Sequence, residues 1–356
     1  MQQSTSASDG IQSFSANYRE ARLKFLEAAK EAGAAVTFHE CPAPGPKGEV
    51  LTTDVAWIGE RKASKVLVAI SATHGVEGFC GSAFQVDWLR SGKAASLPGD
   101  TAVLFIHAIN PHGFAWLRRV NEDGVDLNRN YLEPGKPLPV NADAFLGESR
   151  KRMGELAFFR AVASGQYSDP QGVFYGGSGP TWSNRTLHEI METHLATATD
   201  IAVIDFHTGL GPFGYGDLIT DYEPGSDGSA RVRQFWGDSV SETRKGQALP
   251  LVADGPTHFA FNRALQHARV TFGTLEFGTY DRELGRKTLR ADHWLHKHGD
   301  PTGPHAAPIK QALRRQYYPE TADWKEAVLF RGHQVARMAL QGLQGVHAER
   351  GQPVTD

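Results

Sequence analysis

Apolar residues along this chain recur with two different periods, and the alternation between them predicts the element order. Over residues 17–33, Tyr18, Leu23, Phe25, Leu26 and Ala29 are spaced for one face of an amphipathic helix that Gly33 ends. Strand-like runs follow at 35–39, 53–58 and 66–71. The last of these, Val66-Leu67-Val68-Ala69-Ile70, is apolar without interruption, the pattern of a strand buried on both faces. Residues 78–89 again read as helix. Val103-Leu104-Phe105-Ile106 is a second buried strand, stopped by Asn110-Pro111. Helical stretches are expected near 148–164 and 182–196, and Ile201-Ala202-Val203-Ile204 forms a third core strand that runs into Asp205-Phe206-His207. A fourth spans Val270 to Phe277 and carries Glu276 near its end, and residues 280–345 are mostly helical, with breaks at Pro301, Pro304 and Pro319.

Buried strands alternating with helices predict an α/β domain, and the polar residues of interest sit at or just past the C-terminal ends of those strands. In open α/β sheets that edge is where ligands bind. With no repeat and no clear linker, residues 1–356 read as a single domain with an N-terminal helix and a helical tail. The segments 131–147 and 221–229 read as surface loops bordering the cleft.

Composition narrows the function classes. At 356 residues with 40% hydrophobic and 22% charged positions, the chain has enough apolar material for a real core. A formal net charge of -3 argues against a nucleic-acid backbone as partner. No apolar run approaches the ~20 residues that span a bilayer. The start, Met1-Gln2-Gln3-Ser4, lacks a basic stretch and an apolar core, so no secretory signal is expected. The two cysteines, Cys41 and Cys80, suggest no disulfide scaffold, and a reducing cytoplasm is the expected location. Cys80 follows Glu77 closely enough to be weighed as a metal ligand, but its small-residue helical context favours buried packing.

Candidate chemistry begins with His74-Gly-Val-Glu77 and the distant His207. Two imidazoles and a carboxylate are the ligand set of a hydrolytic zinc site that keeps one position open. Asp126 and Asp205 are candidates to hold the second ring nitrogen of a ligand histidine. A His-x-x-Glu pair alone usually marks only a helix start; agreement among separate strand ends gives it weight. His293, His296 and His298 lie in a charged stretch and read as a solvated face. Between 110 and 130, Arg118, Arg119 and Arg129 mix with asparagines and glycine turns, offering forks for a carboxylate and a donor for an oxyanion. Glu276, at the end of an apolar strand, is costly to bury unless paired or functional, and beside an activated water it would serve as general base.

In this order of motifs the chain resembles the zinc carboxypeptidase family, the carboxypeptidase A-like metallopeptidases, most closely a bacterial cytoplasmic branch. His74 and Glu77, Asn110-Pro111-His112-Gly113, Arg119, Asp126-Leu127-Asn128-Arg129-Asn130, His207 and Glu276 repeat the family order over about residues 66–278. The resemblance implies one zinc ion per chain held by His74, Glu77 and His207, with Asp126 orienting His74. It implies that Arg119 polarises the scissile carbonyl, that Asn128 and Arg129 bind a terminal carboxylate, and that Glu276 is the general base. It also implies a mixed, twisted sheet of about eight strands between helices. The family's substrate-covering tyrosine has no counterpart in residues 252–260, and no motif selects Tyr215, Tyr222 or Tyr280 in its place.

The expected function is zinc-dependent hydrolysis of an amide bond next to a free carboxylate, in a small peptide. The rival readings are an N-acyl amino acid amidohydrolase of the desuccinylase or aspartoacylase kind, and a non-catalytic carboxylate-binding module.

Overall fold

The apolar run at 66–70 becomes β3 (Lys65–Ile70), near the middle of an eight-stranded sheet. The structure is a computed structural model that describes residues 10–133, 163–248 and 252–345, with residues 135, 154 and 157. Helix α1 (Tyr18–Glu31) leads into β1 (Ala35–Glu40), β2 (Thr52–Gly59) and β3. Then come α2 (Gly78–Arg90), β4 (Thr101–His107), the short α3 (Pro111–Ala115), α4 (Trp182–Leu195) and β5 (Asp200–Thr208). The chain continues through β6 (Gly216–Thr220), α5 (Asp227–Trp236), β7 (Val240–Glu242), α6 (Thr257–Ala264) and β8 (Arg269–Phe277). Helices α7 (Arg282–His298), α8 (Ala306–Tyr317) and α9 (Ala322–Leu343) complete it.

Strand order is β1-β2-β4-β3-β5-β8-β6-β7. The pairs β3–β4, β3–β5 and β5–β8 are parallel, while β1–β2, β2–β4 and β6–β8 are antiparallel, giving the mixed sheet of the expected class. From β3 the chain crosses to β4 on one side; from β5 it continues toward β8 on the other. The crevice therefore opens between the C-terminal ends of β3 and β5. His74 follows one of those ends and His207 lies at the other.

Strand alternation supplies both faces of the core. Leu67, Ala69, Ile204 and Phe206 join Phe25, Phe84, Trp88 and Trp324 on one face. Val66, Val68, Ile70 and Val203 join Ile190, Met191 and Phe261 on the other. Among the described residues, no helix is long and apolar enough to cross a membrane.

Several expectations are revised or fall outside this description. Strands β6 and β7 have no counterpart in the hydropathy pattern, because they are short and carry polar residues. The loop at 131–147 and the helix near 148–164 lie almost wholly outside the described residues. His293 is buried rather than solvated, beside Arg118 and the Gln171 backbone. There His296 Nε2 lies 2.7 Å from Lys310 Nζ, and Lys310 pairs with the buried Asp292. Cys80 is a buried packing residue on α2, in line with its small-residue context.

His107, at the end of β4, is fully buried, with Nε2 2.9 Å from Ser82 Oγ and its ring stacked on Phe25 at 4.5 Å. Burial, aided by the Arg22 cation, lowers its pKa to about 3. The unfolded chain takes up this proton near pH ~6.5, so the stability from neutral His107 is present above that pH and is lost as pH falls toward the folded value. The melting temperature should hold above neutrality and decline progressively in acid, less steeply for His107→Phe. Parallel declines in wild type and variant would remove His107 as a contributor.

Candidate active site

After β3 the chain turns through Ala72 at φ 62°, leaving His74 extended ahead of a 3-10 turn, Gly75–Glu77, that runs directly into α2. The turn is clamped from outside. Gly75 N donates to Arg119 O at 3.3 Å and Val76 N to Arg118 O at 2.8 Å. Gly75 also lies against α3 so closely that a Cβ there would come within 2.0 Å of the Gly113 carbonyl carbon. Asn110 caps α3 by accepting from Gly113 N at 2.8 Å. The Asn110-Pro111-His112-Gly113 motif thus seats the turn that carries His74 and Glu77.

At the end of β5, the His207 ring meets the His74 ring edge to face, with centroids 4.9 Å apart. Glu77 Oε2 accepts from Thr208 N at 2.9 Å and lies 3.5 Å from His207 Nδ1. Asp205 Oδ2 lies 2.9 Å from His207 Nε2, and Asp205 Oδ1 accepts from Thr73 Oγ1 at 2.8 Å. Asp126 Oδ1 is 3.6 Å from His74 Nδ1. Each histidine thus has a buried carboxylate beside one ring nitrogen, within hydrogen-bond distance for His207 and slightly beyond it for His74.

Arg119 joins these groups. Its Nε donates to Asp126 Oδ2 at 2.9 Å, Nη1 to Glu77 Oε1 at 3.0 Å and Nη2 to His74 Nε2 at 2.7 Å. His74 Nε2 faces a donor and so presents its lone pair. Burial, then the Arg119 cation, holds His74 well below the usual histidine range. Burial would also depress His207, but Asp205 and Glu77 outweigh it and raise its pKa well above the ordinary value. For Asp126, burial is overcome by Arg119 and His74, which keep the carboxylate ionised.

Among the described residues, no group of three or more His, Cys, Asp or Glu side chains is set to hold an ion as it stands. Arg119 hydrogen-bonds both His74 Nε2 and Glu77 Oε1. The donor set nevertheless fits zinc in kind: two imidazoles and a carboxylate converge, with His207 Nδ1 3.5 Å from Glu77 Oε2 and the two rings in contact. Glu77, Asp126, Asp205 and Glu276 are all buried, and Arg119 bonds the first two.

Glu276 stands opposite His207 in the β5–β8 register, accepts from Leu210 N at 3.0 Å, and is 7% exposed. Burial, then the Glu77 charge, raises its pKa to about 8. Arg129 is largely committed, donating from Nε and Nη2 to Ala163 O and from Nη1 to Asn128 O. The Asn128 side-chain oxygen accepts from Thr257 N at 2.9 Å. His74, Glu77, Arg119, Asn128, His207 and Glu276 line one cavity of about 420 Å³, within the usual range for small-molecule sites.

Three lining residues escaped sequence reasoning. Tyr317, at the end of α8, reaches the cavity from the helical tail rather than from the segment before Glu276. Gly209, at φ +130°, admits it: a Cβ there would lie 2.7 Å from the Tyr317 ring. Phe174, at φ 58°, stands 5.5 Å from the Arg119 guanidinium carbon and 5.4 Å from that of Arg129. One aromatic ring thus carries both cations. Asp221, in a stretch read as surface loop, also lines the cavity.

Gly75→Ala should unseat the His74–Glu77 turn, because backbone stands where the methyl would go. A drop of several degrees in melting temperature, with loss of any metal bound by the wild type, is expected. A variant of unchanged stability would show that the turn can move freely from α3.

The sequence matches no curated protein. Carboxypeptidase A from Helicoverpa armigera has the same fold at 16% identity, over 91% of this chain and 73% of that one, with a TM-score of 0.50. Bovine thrombin-activatable fibrinolysis inhibitor, solved with tick carboxypeptidase inhibitor, matches at 11% identity over 89% and 98% of the two chains, TM-score 0.47. A succinylglutamate desuccinylase from a Silicibacter species matches at 14% identity over 74% and 66%, TM-score 0.42. The fold is zinc carboxypeptidase-like. Residues 14–145 and 141–331 match the family described as "Protein of unknown function (DUF2817)", and the chain belongs to that family.

Proposed function

We propose that this protein is a zinc-dependent hydrolase that cleaves an amide bond next to a free carboxylate, as at the C-terminus of a small peptide. The observation that carries the reading is the convergence of His74, Glu77, His207, Arg119 and Glu276 on one wall of one cavity. A zinc ion held by His74, Glu77 and His207 would supply a Lewis acid for the scissile carbonyl and a water of lowered pKa.

The chain's own groups do the rest. Glu276 takes the proton of the attacking water and returns it to the leaving nitrogen as the C–N bond breaks. Arg119, released from His74 and Glu77, donates to the carbonyl oxygen as negative charge develops there. The amide nitrogen of Asn128 and the remaining N–H groups of Arg129 hold the substrate carboxylate. Asp205 and Asp126 keep the two imidazoles oriented. The free, buried Cys41 and Cys80 suit a reducing cytoplasm.

Purified protein supplied with zinc should hold about one ion per chain, and His207→Ala prepared identically should lose it. Equal metal content in both, or none in either, would sink this reading. Glu276→Gln should retain zinc yet lose ~100-fold or more of turnover, the scale of a lost general base; near-normal turnover would take Glu276 out of that role. Arg129→Ala should weaken peptides with a free carboxylate more than their amidated analogues. Faster cleavage of N-acyl amino acids than of di- and tripeptides would move the assignment to an amidohydrolase.

A further inference from the structure

The carbonyl of Arg118, which accepts from Val76 N at 2.8 Å, holds the turn that carries His74 and Glu77. The chain does not aim that carbonyl by local preference. Leu117, immediately before it, has φ 51°, in the left-handed region that a leucine rarely adopts. Such a backbone persists only where its surroundings over-determine it. Two holds on Arg118 do so. Its N donates to Gly113 O at 2.7 Å, and its buried side chain donates from Nε to Asp292 Oδ2 at 3.2 Å.

Asp292, on α7, is wholly buried and divides its two oxygens between two cations. Oδ2 takes Arg118, and Oδ1 takes Lys310 Nζ, from α8, at 2.5 Å. Lys310 in turn lies 2.7 Å from His296 Nε2. Burial would raise the Asp292 pKa, but Lys310 and Arg118 outweigh it and hold the carboxylate below its ordinary range. Among the described residues it is the only carboxylate paired with Arg118. Asp292, Arg118 and Lys310 all stand outside the lining of the cavity, so none of them meets a substrate there.

We propose that Asp292 is a positioning residue: acting through Arg118, it fixes the turn that bears His74 and Glu77 and so sets the spacing of the ion's ligands. The role in ion binding rests on the hydrolase reading above. The Arg119 carbonyl takes Gly75 N at 3.3 Å, so both amides of the turn hang from the segment that Asp292 anchors. A carboxamide at 292 would keep the shape but offer one acceptor oxygen where two cations each use one. Arg118, buried without its counter-charge, would leave its place and let Leu117 relax. The turn would then lose its hold from the Arg118 carbonyl.

The test compares wild type, Asp292→Asn, Arg118→Met, their double variant and Lys310→Met by amide hydrogen exchange, zinc titration and cleavage of small peptides. Asp292→Asn should speed exchange of the Gly75 and Val76 amides ~10-fold or more, the scale of a lost local hold. Zinc affinity should fall ~10- to 100-fold, as it does when a group supporting metal ligands is removed. Arg118→Met should match both effects, and the double variant should be no worse than either, because one link is broken in all three. Lys310→Met keeps the Arg118–Asp292 pair and should leave exchange at the turn unchanged. If Asp292→Asn does not fold, Arg118→Met against Lys310→Met makes the same comparison. Unchanged exchange and zinc affinity in Asp292→Asn would overturn the positioning role and leave the hydrolase standing. Faster exchange confined to α7 and α8 would also overturn it, making Asp292 a packing residue. Faster exchange at the turn, in a protein that binds no zinc and cleaves no peptide, would keep the link and overturn the hydrolase.

Discussion

The crevice depends on how its buried carboxylates are neutralised, and Arg119 bonds two of the four. Glu77, Asp126, Asp205 and Glu276 are each nearly or wholly removed from water. Isolated carboxylates in such surroundings would protonate or force water in. One guanidinium bridges Asp126, Glu77 and the His74 ring, a geometry that lysine could not reproduce from a single ammonium. Phe174 holds that guanidinium and the one from Arg129 against a common ring, at the cost of a backbone conformation rare for a bulky residue. Strain of this kind persists only where the surroundings over-determine it.

The same arginine reaches the site through backbone as well as charge. The carbonyls of Arg118 and Arg119 hold the amides of Val76 and Gly75, so the turn bearing His74 and Glu77 is fixed to the segment bearing the cation. Asp292 and Lys310 then tie Arg118 to the helical tail, through an ion pair of 3.2 Å between Arg118 Nε and Asp292 Oδ2. That tail also delivers Tyr317 to the cavity, locked by Thr208 Oγ1 donating to its carbonyl at 2.6 Å. Helices α7 and α8 are therefore part of the site's wall.

What could be read from the sequence follows from where each residue sits. His207 and Glu276 were legible because each lies at the end of an apolar strand, and His74 and Glu77 because they follow one closely, where a buried polar group is costly unless paired or functional. The central strands were legible from the same uninterrupted apolar runs. β6 and β7 were not, since short half-polar strands carry too little periodicity. Tyr317 and Phe174 were illegible because tertiary approach alone brings them in, whereas Asp221 falls in a stretch read as bordering the cleft. The one local sign was Gly209, whose missing side chain makes room for the Tyr317 ring, and a glycine in a loop can have many causes. His293 reads as surface in a charged stretch and is buried where the segments bearing Arg118 and Gln171 meet α7.

Arg119 and a metal ion cannot use the same lone pairs at once. His74 Nε2 and Glu77 Oε1 each already accept one hydrogen bond from the guanidinium. On the proposed zinc-hydrolase reading, an ion on those atoms would replace both guanidinium contacts, while the bond from Nε to Asp126, nearer the backbone end of the side chain, would be kept. The freed Nη groups would then face the cavity that Arg119 lines. On that reading one guanidinium would both neutralise buried carboxylate and serve as donor to the reacting carbonyl.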